Sequence, residues 1–178
     1  MFKHEKVVWI TRTAVLIALT VALQALTLQL GNTIITGSIV NLMLIIAVMT
    51  CGLFTGLSVA AVTPIIAALL GILPTWLYIP FIAIGNMVLV SAWHFFDNSK
   101  IANQYISYGI ALIVGALAKF SVIHFGIVWF LMGIRTFNIA ALMANPLSIP
   151  QLITAATGGV CAIILLPSLL KAIKQRKA

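Results

Sequence analysis

Six long apolar runs, at positions 11–28, 34–49, 53–70, 79–96, 105–131 and 151–170, leave this chain of 178 residues few possible folds. About 20 apolar residues in succession cross a bilayer as a helix. Lipid offers a backbone amide no partner, so each crossing segment must satisfy its own hydrogen bonds. The runs are continuous rather than alternating, which argues against the strands of a membrane barrel. A soluble fold fails on quantity. With 63% hydrophobic residues, 7% charged residues and a mean hydropathy of +1.22, the chain carries more apolar surface than a domain of this size can hide. The expectation is an all-α integral membrane protein with six transmembrane helices. It forms a single membrane domain over 1–178, with short basic tails at 1–10 and 171–178.

Local signals refine that picture. The opening "MFKHEKVVWITR" is basic and precedes an apolar run, as in a signal peptide. That run is as long as a span and lacks a small-residue cleavage pattern, so it reads as a retained first helix. Runs two and three join through "TCGLFTG", where a tight hairpin or a partly tilted pair is expected. Pro64 and Pro167 fall inside the third and sixth runs, where membrane helices tolerate proline as a kink. Cys51 and Cys161 lie in apolar sequence without a CxxC pattern and read as small buried hydrophobes.

Charge placement gives an orientation. Lys3, Lys6 and Arg12 precede the first run, Lys100 lies between the fourth and fifth, and Lys171, Lys174, Arg176 and Lys177 follow the sixth. Eight of the ten basic residues thus fall on one side of a six-span topology, which the positive-inside rule makes cytoplasmic, with both termini there. Both acidic residues, Glu5 and Asp97, share that side. The net charge of +8 is a topology and headgroup signal rather than a nucleic-acid one. The opposite side carries the longer connections, "QLGNTIITGS", "GILPTWLY" and "MGIRTFNIAALMANPLSIP", which are of a size and aromatic content to cover a cavity.

Enzyme chemistry finds little material. The two carboxylates are far apart, His4, His94 and His124 have no metal-ligand spacing, and GxxxxGK[ST] is absent, so no ATP hydrolysis is expected of this chain. No cofactor is expected. The feature that stands out is "GALAKFSVIHFG", residues 115–126, which sets Lys119 and His124 in the fifth run. A lysine near the middle of a bilayer costs about 2.5–3.5 kcal/mol on insertion scales. In one reading Lys119 is deprotonated or hydrogen-bonded to backbone carbonyls. In the other it faces an outward cavity and meets an anionic ligand. His124 lies about 140° around the helix from it. Together with Arg135 in the last outer connection, these three bases without an acid point to a carboxylate- or phosphate-bearing substrate. Asn86 is either helix–helix glue or a ligand contact, and Asn41 reads as structural. Trp76, Tyr78, Trp129 and Phe137 are interfacial aromatics, some of them candidates for lining a pocket. Asn138, Asn145 and Gln151 are further hydrogen-bonding candidates. Ala14, Ala18, Ala22 and Ala25 form a small-residue stripe that lets another helix approach closely, and Gly52 and Gly56 form a GxxxG pair.

Taken together, "TRTAVLIALTVALQA", "GNTIITGSIVNLML", "TPIIAALLGILP" and "PFIAIGNMVLV", with the size and span number, resemble the substrate-binding S components of energy-coupling factor (ECF) vitamin transporters, in particular the pantothenate and cobalamin branch. The resemblance covers essentially the whole chain. It implies an outward pocket at the outer ends of helices four to six, capped by the outer loops. It also implies association with a transmembrane scaffold subunit and two ATP-binding-cassette ATPases in a prokaryotic plasma membrane, and toppling of the loaded subunit through the bilayer. The family's helix-one contact carries over to Ala14, Ala18 and Ala22. The implied substrate is a water-soluble vitamin, with pantothenate first among anionic ones; cobalamin, folate, niacin, biotin, riboflavin and pyridoxine-like compounds stay open. The bland alternatives are a membrane scaffold or assembly protein, and a passive facilitator without ATPase partners. Asn86, Lys119, His124, Arg135, Trp76, Tyr78 and Asn138 are the expected substrate contacts.

Overall fold

A computed structural model describes residues 2–71, 76–99, 103–134 and 149–175, and among them the regular structure is helical throughout. Six α-helices follow in order: α1 (Phe2–Leu28), α2 (Thr33–Cys51), α3 (Leu53–Leu69), α4 (Ile79–Asn98), α5 (Gln104–Ile134) and α6 (Ile149–Gln175). A single 3-10 turn, Trp76–Tyr78, leads into α4. Five of the six are long and apolar enough to cross a membrane, and α3, at 17 residues, is a shorter apolar helix. These are the dimensions of a multi-pass membrane protein.

The helix boundaries have local causes. The stretch after the first run is mostly helix rather than connection, because the Asn32 side chain accepts from the backbone N–H groups of Ile34 and Ile35 and caps α2 there. Gly52 alone separates α2 from α3, as the hairpin expectation required. Its φ of +88° lies where a Cβ is strained. Pro64 is accommodated inside α3, buried against its neighbours. Cys51 and Cys161 are both free and half-buried, so neither is sealed as deeply as its apolar context suggests.

α2 is the hub, packing on α1, α3, α4 and α6, while α4 also packs on α3 and α5, and α5 on α6. The bundle has two ends. At the lower end α2 finishes and α3 begins; at the upper end α2, α4 and α6 begin. In the lower half Leu44, Ile45, Val48, Val59, Leu89, Val90, Trp93, Tyr108, Ala162 and Leu166 form one buried apolar cluster. Near the upper end a second, small cluster joins α4 to α5 through Ile82, Ile123 and Ile127, with Tyr78 and Phe81 against it. α1 is the least enclosed helix. Its inward side carries Thr13, Thr20 and Val21, and Thr13 Oγ1 meets Thr55 Oγ1 of α3 at 3.4 Å. Its outward side shows Val15, Leu19 and Leu26.

Candidate functional site

Between the two apolar clusters lies a polar layer. Lys119, on α5, is 2% exposed. Its Nζ donates to Oδ1 of Asn41 on α2 at 2.5 Å and to Oδ1 of Asn86 on α4 at 2.8 Å. The Asn41 amide nitrogen in turn donates to Oγ1 of Thr154 on α6 at 3.2 Å, and that hydroxyl donates to the Gln151 carbonyl at 3.1 Å. Lys119 thus ties α5 to α2 and α4, Asn41 carries the tie on to α6, and Asn41, Asn86 and Thr154 are all buried with it. Ser38, three residues before Asn41, holds a buried hydroxyl with no hydrogen-bond partner among the described residues.

Glycines let the layer form. A Cβ on Gly85 would sit 2.7 Å from Cγ1 of Ile123 and 3.4 Å from Cγ of Lys119, so α4 must lack a side chain there for Ile123 to pack against it, one turn from the lysine. On the other side of the layer, a Cβ on Gly158 would come within 2.6 Å of the Ser38 carbonyl oxygen, and one on Gly37 within 2.8 Å of Thr154 Cγ2. α2 and α6 thus meet nearly backbone to backbone, which brings Asn41 within reach of Thr154.

Electrostatically the layer is one-sided. The chain has only two acidic residues. Glu5 lies in the first turn of α1, and Asp97 is exposed near the lower end of α4, eleven residues beyond Asn86 or roughly 16 Å along the helix. Asp97 is not placed to neutralise Lys119. Two amide oxygens take the role of a counter-ion. A hydrogen bond to a charged group contributes about 1.5–3 kcal/mol net, so for a protonated lysine two of them match the insertion cost of about 2.5–3.5 kcal/mol. The partners are side-chain amides rather than the backbone carbonyls that one of the two readings of the sequence named.

No family model, curated protein or solved structure matches the chain. The geometry therefore speaks for itself.

Of the residues singled out by sequence, Lys119 and Asn86 are brought into direct contact. Asn41, read as structural, is an equal partner in the same contact. His124 stays on α5 about a turn nearer the upper end, half-buried and stacked on Phe120 at 5.2 Å between ring centres. Tyr78 packs against the isoleucine cluster, whereas Trp76 is 59% exposed at the upper end of the bundle. Arg135, Phe137, Asn138 and Asn145 lie outside the described residues, as does the side chain of Trp129. Ala14, Ala18 and Ala22 are all exposed on α1, and Ala25 is half-buried. Thr154 was not anticipated. The only hint in the sequence is its place one turn before Gly158, in "TAATGG", where a small-residue contact brings α2 close.

Proposed function

We propose that the chain is the substrate-binding subunit of an ECF-type importer, taking up a water-soluble anionic micronutrient of the pantothenate kind across a prokaryotic plasma membrane. In this reading all six helices cross the bilayer with both termini in the cytoplasm, and the upper end of the bundle faces outward. The observation that carries it is Lys119, a buried lysine held by neutral amides with no carboxylate beside it among the described residues. An incoming carboxylate is a stronger acceptor than either amide. It would draw the ammonium away from Asn41 and Asn86 and free both amides to hydrogen-bond the ligand's hydroxyl or amide groups. Arg135 and Asn138 are proposed to contribute from the outer connection, with His124, Trp76 and Tyr78 at the rim.

Two further features support the reading. The exposed Ala14, Ala18 and Ala22 offer a smooth face on which a scaffold helix can lie at close range. The chain also lacks a phosphate-binding loop, which suits a subunit energised by two partner ATPases rather than an enzyme. A second reading, a scaffold or assembly protein without a ligand, draws on one fact: the two amide oxygens already satisfy Lys119. Mass spectrometry of small molecules released from the gently purified protein separates the two. A stoichiometric anionic vitamin is the expected result. An empty protein that binds none of the candidates on titration, and that pulls down no ATPase subunits, would leave the scaffold reading.

A further inference from the structure

A hydroxyl in a membrane-spanning helix commonly donates to the backbone carbonyl one turn back, because lipid offers it no other acceptor. Thr20, Thr50, Ser58 and Thr63 all do so, to the carbonyls of Leu16, Ile46, Phe54 and Val59. Ser38 does not. It is 9% exposed, and its Oγ has no hydrogen-bond partner among the described residues. An unpaired buried hydroxyl disfavours the folded state, and alanine at the same place would remove that penalty without loss of apolar contact. Nε1 of Trp93 is also buried without a partner among the described residues. There the indole fills the lower apolar cluster, so its bulk accounts for the residue. Ser38 differs from alanine by its hydroxyl alone, and bulk accounts for nothing there.

The surroundings of that hydroxyl are already engaged. Ser38 lies one turn above Asn41 and about 60° from it around the helix, so the two share a face of α2. Asn41 uses its oxygen for Lys119 and its nitrogen for Thr154, and the Thr154 hydroxyl donates to the Gln151 carbonyl. The Ser38 carbonyl is closed against α6, where a Cβ on Gly158 would sit 2.6 Å from it. The Ser38 hydroxyl is thus unused hydrogen-bonding capacity at the upper margin of the polar layer. It can both donate and accept, which suits a ligand's hydroxyl or amide group. A carboxylate only accepts, and is better matched by the lysine.

We infer that Ser38 is a binding residue, whose hydroxyl pairs with a hydroxyl or amide group of the ligand while the ligand's carboxylate meets Lys119. This adds α2 to the helices four to six that the resemblance implies. A ligand without such a group would leave the hydroxyl stranded, so Ser38 selects against plain carboxylic acids. The inference deepens the substrate-binding reading and rests on it.

The test takes two readouts from full-length protein in detergent: pantothenate affinity by calorimetric titration, and the unfolding temperature without ligand. Ser38→Ala is expected to weaken pantothenate binding about tenfold. Its ligand-free unfolding temperature is expected to equal or exceed that of the parent, since the free protein loses no hydrogen bond. Ser91→Ala, which removes an exposed hydroxyl bonded to the Met87 carbonyl, is expected to keep affinity within twofold of the parent. A lower ligand-free unfolding temperature for Ser38→Ala, or loss of monodisperse protein, would mean that the hydroxyl has a partner in the free protein, such as an ordered water, and overturns the inference. Equal affinities for Ser38→Ala and its parent also overturn it, and leave the uptake reading standing. A parent that binds none of pantothenate, nicotinate and biotin removes the uptake reading, and this inference with it.

Discussion

The lower and upper halves of the bundle solve one problem in two ways. In the lower half, helices approach through a continuous apolar interior in which Trp93 is fully buried, 5.8 Å from Tyr108 between ring centres, with Gly115 and Gly159 flush against the indole. In the upper half the interior is thin. A three-residue isoleucine cluster covers a layer in which Lys119, Asn41, Asn86 and Thr154 join four helices by hydrogen bonds. Lipid competes equally for apolar side chains, so the lower half depends on shape and close packing, whereas polar ties are favoured in the upper half because lipid cannot replace them. The lesson is a division of labour. The densely packed half holds the fold, and the polar half is the part able to exchange one partner for another.

The strongest way to break this comparison is in the lower half. Trp93→Ala is expected to cost about 3–5 kcal/mol, the range for large-to-small core substitutions, seen as loss of monodisperse protein or a large fall in thermal unfolding temperature in detergent. A mild effect would mean that the lower half is not the scaffold. Next in size is Asn41→Ala. It leaves Lys119 with one acceptor fewer and Thr154 without its donor, at about 1–3 kcal/mol for buried groups left unpaired. The same unfolding measurement reads it.

Lys119→Met sharpens the contrast, because it removes the charge together with its demand for partners. The variant also leaves the Asn41 and Asn86 oxygens without their donor. It is therefore expected to cost about 1–3 kcal/mol, comparable with Asn41→Ala, and, on the proposed uptake reading, to lose retained anionic ligand. A variant that no longer folds at all would make the layer a structural bolt. The smallest effect belongs outside both halves. Ala18→Leu on the exposed face of α1 is expected to change stability by less than about 0.5 kcal/mol and, if the proposed importer reading holds, to abolish co-purification with ATPase subunits. A destabilised variant would place α1 inside a contact of this chain instead.

Much of the fold was legible in the sequence. Each apolar run became a helix, because in lipid the backbone has no alternative to satisfying itself. Four keep within three residues of their expected limits, whereas α1 starts at Phe2 and α6 runs to Gln175, so the helices continue into stretches expected as tails. The Gly52 hairpin was readable for a related reason: a lone glycine between two apolar runs leaves few other ways to reverse the chain. The candidate site was legible only in part. Lys119 announced itself by its cost, and Asn86 by being an amide in a span. Asn41 read as structural, and Thr154 carried no signal of its own, since threonines in these helices commonly bond their own backbone, as Thr20 and Thr63 do here.

The sequence by itself determined an all-helical chain with the dimensions of a multi-pass membrane protein, a deficit of acids, and a lysine that needed partners. Those follow from hydropathy, run length and charge count, which are local sums along the chain. Only the tertiary structure decided who the partners are. The residues that meet Lys119 lie 78 and 33 positions away in the chain, and the tie to α6 spans 113. Such contacts depend on which helices neighbour each other and on how far each is rotated about its axis. Here the glycines at 37, 85 and 158 permit the close approach around the layer, since a Cβ at each would come within 2.8 Å of a neighbouring helix.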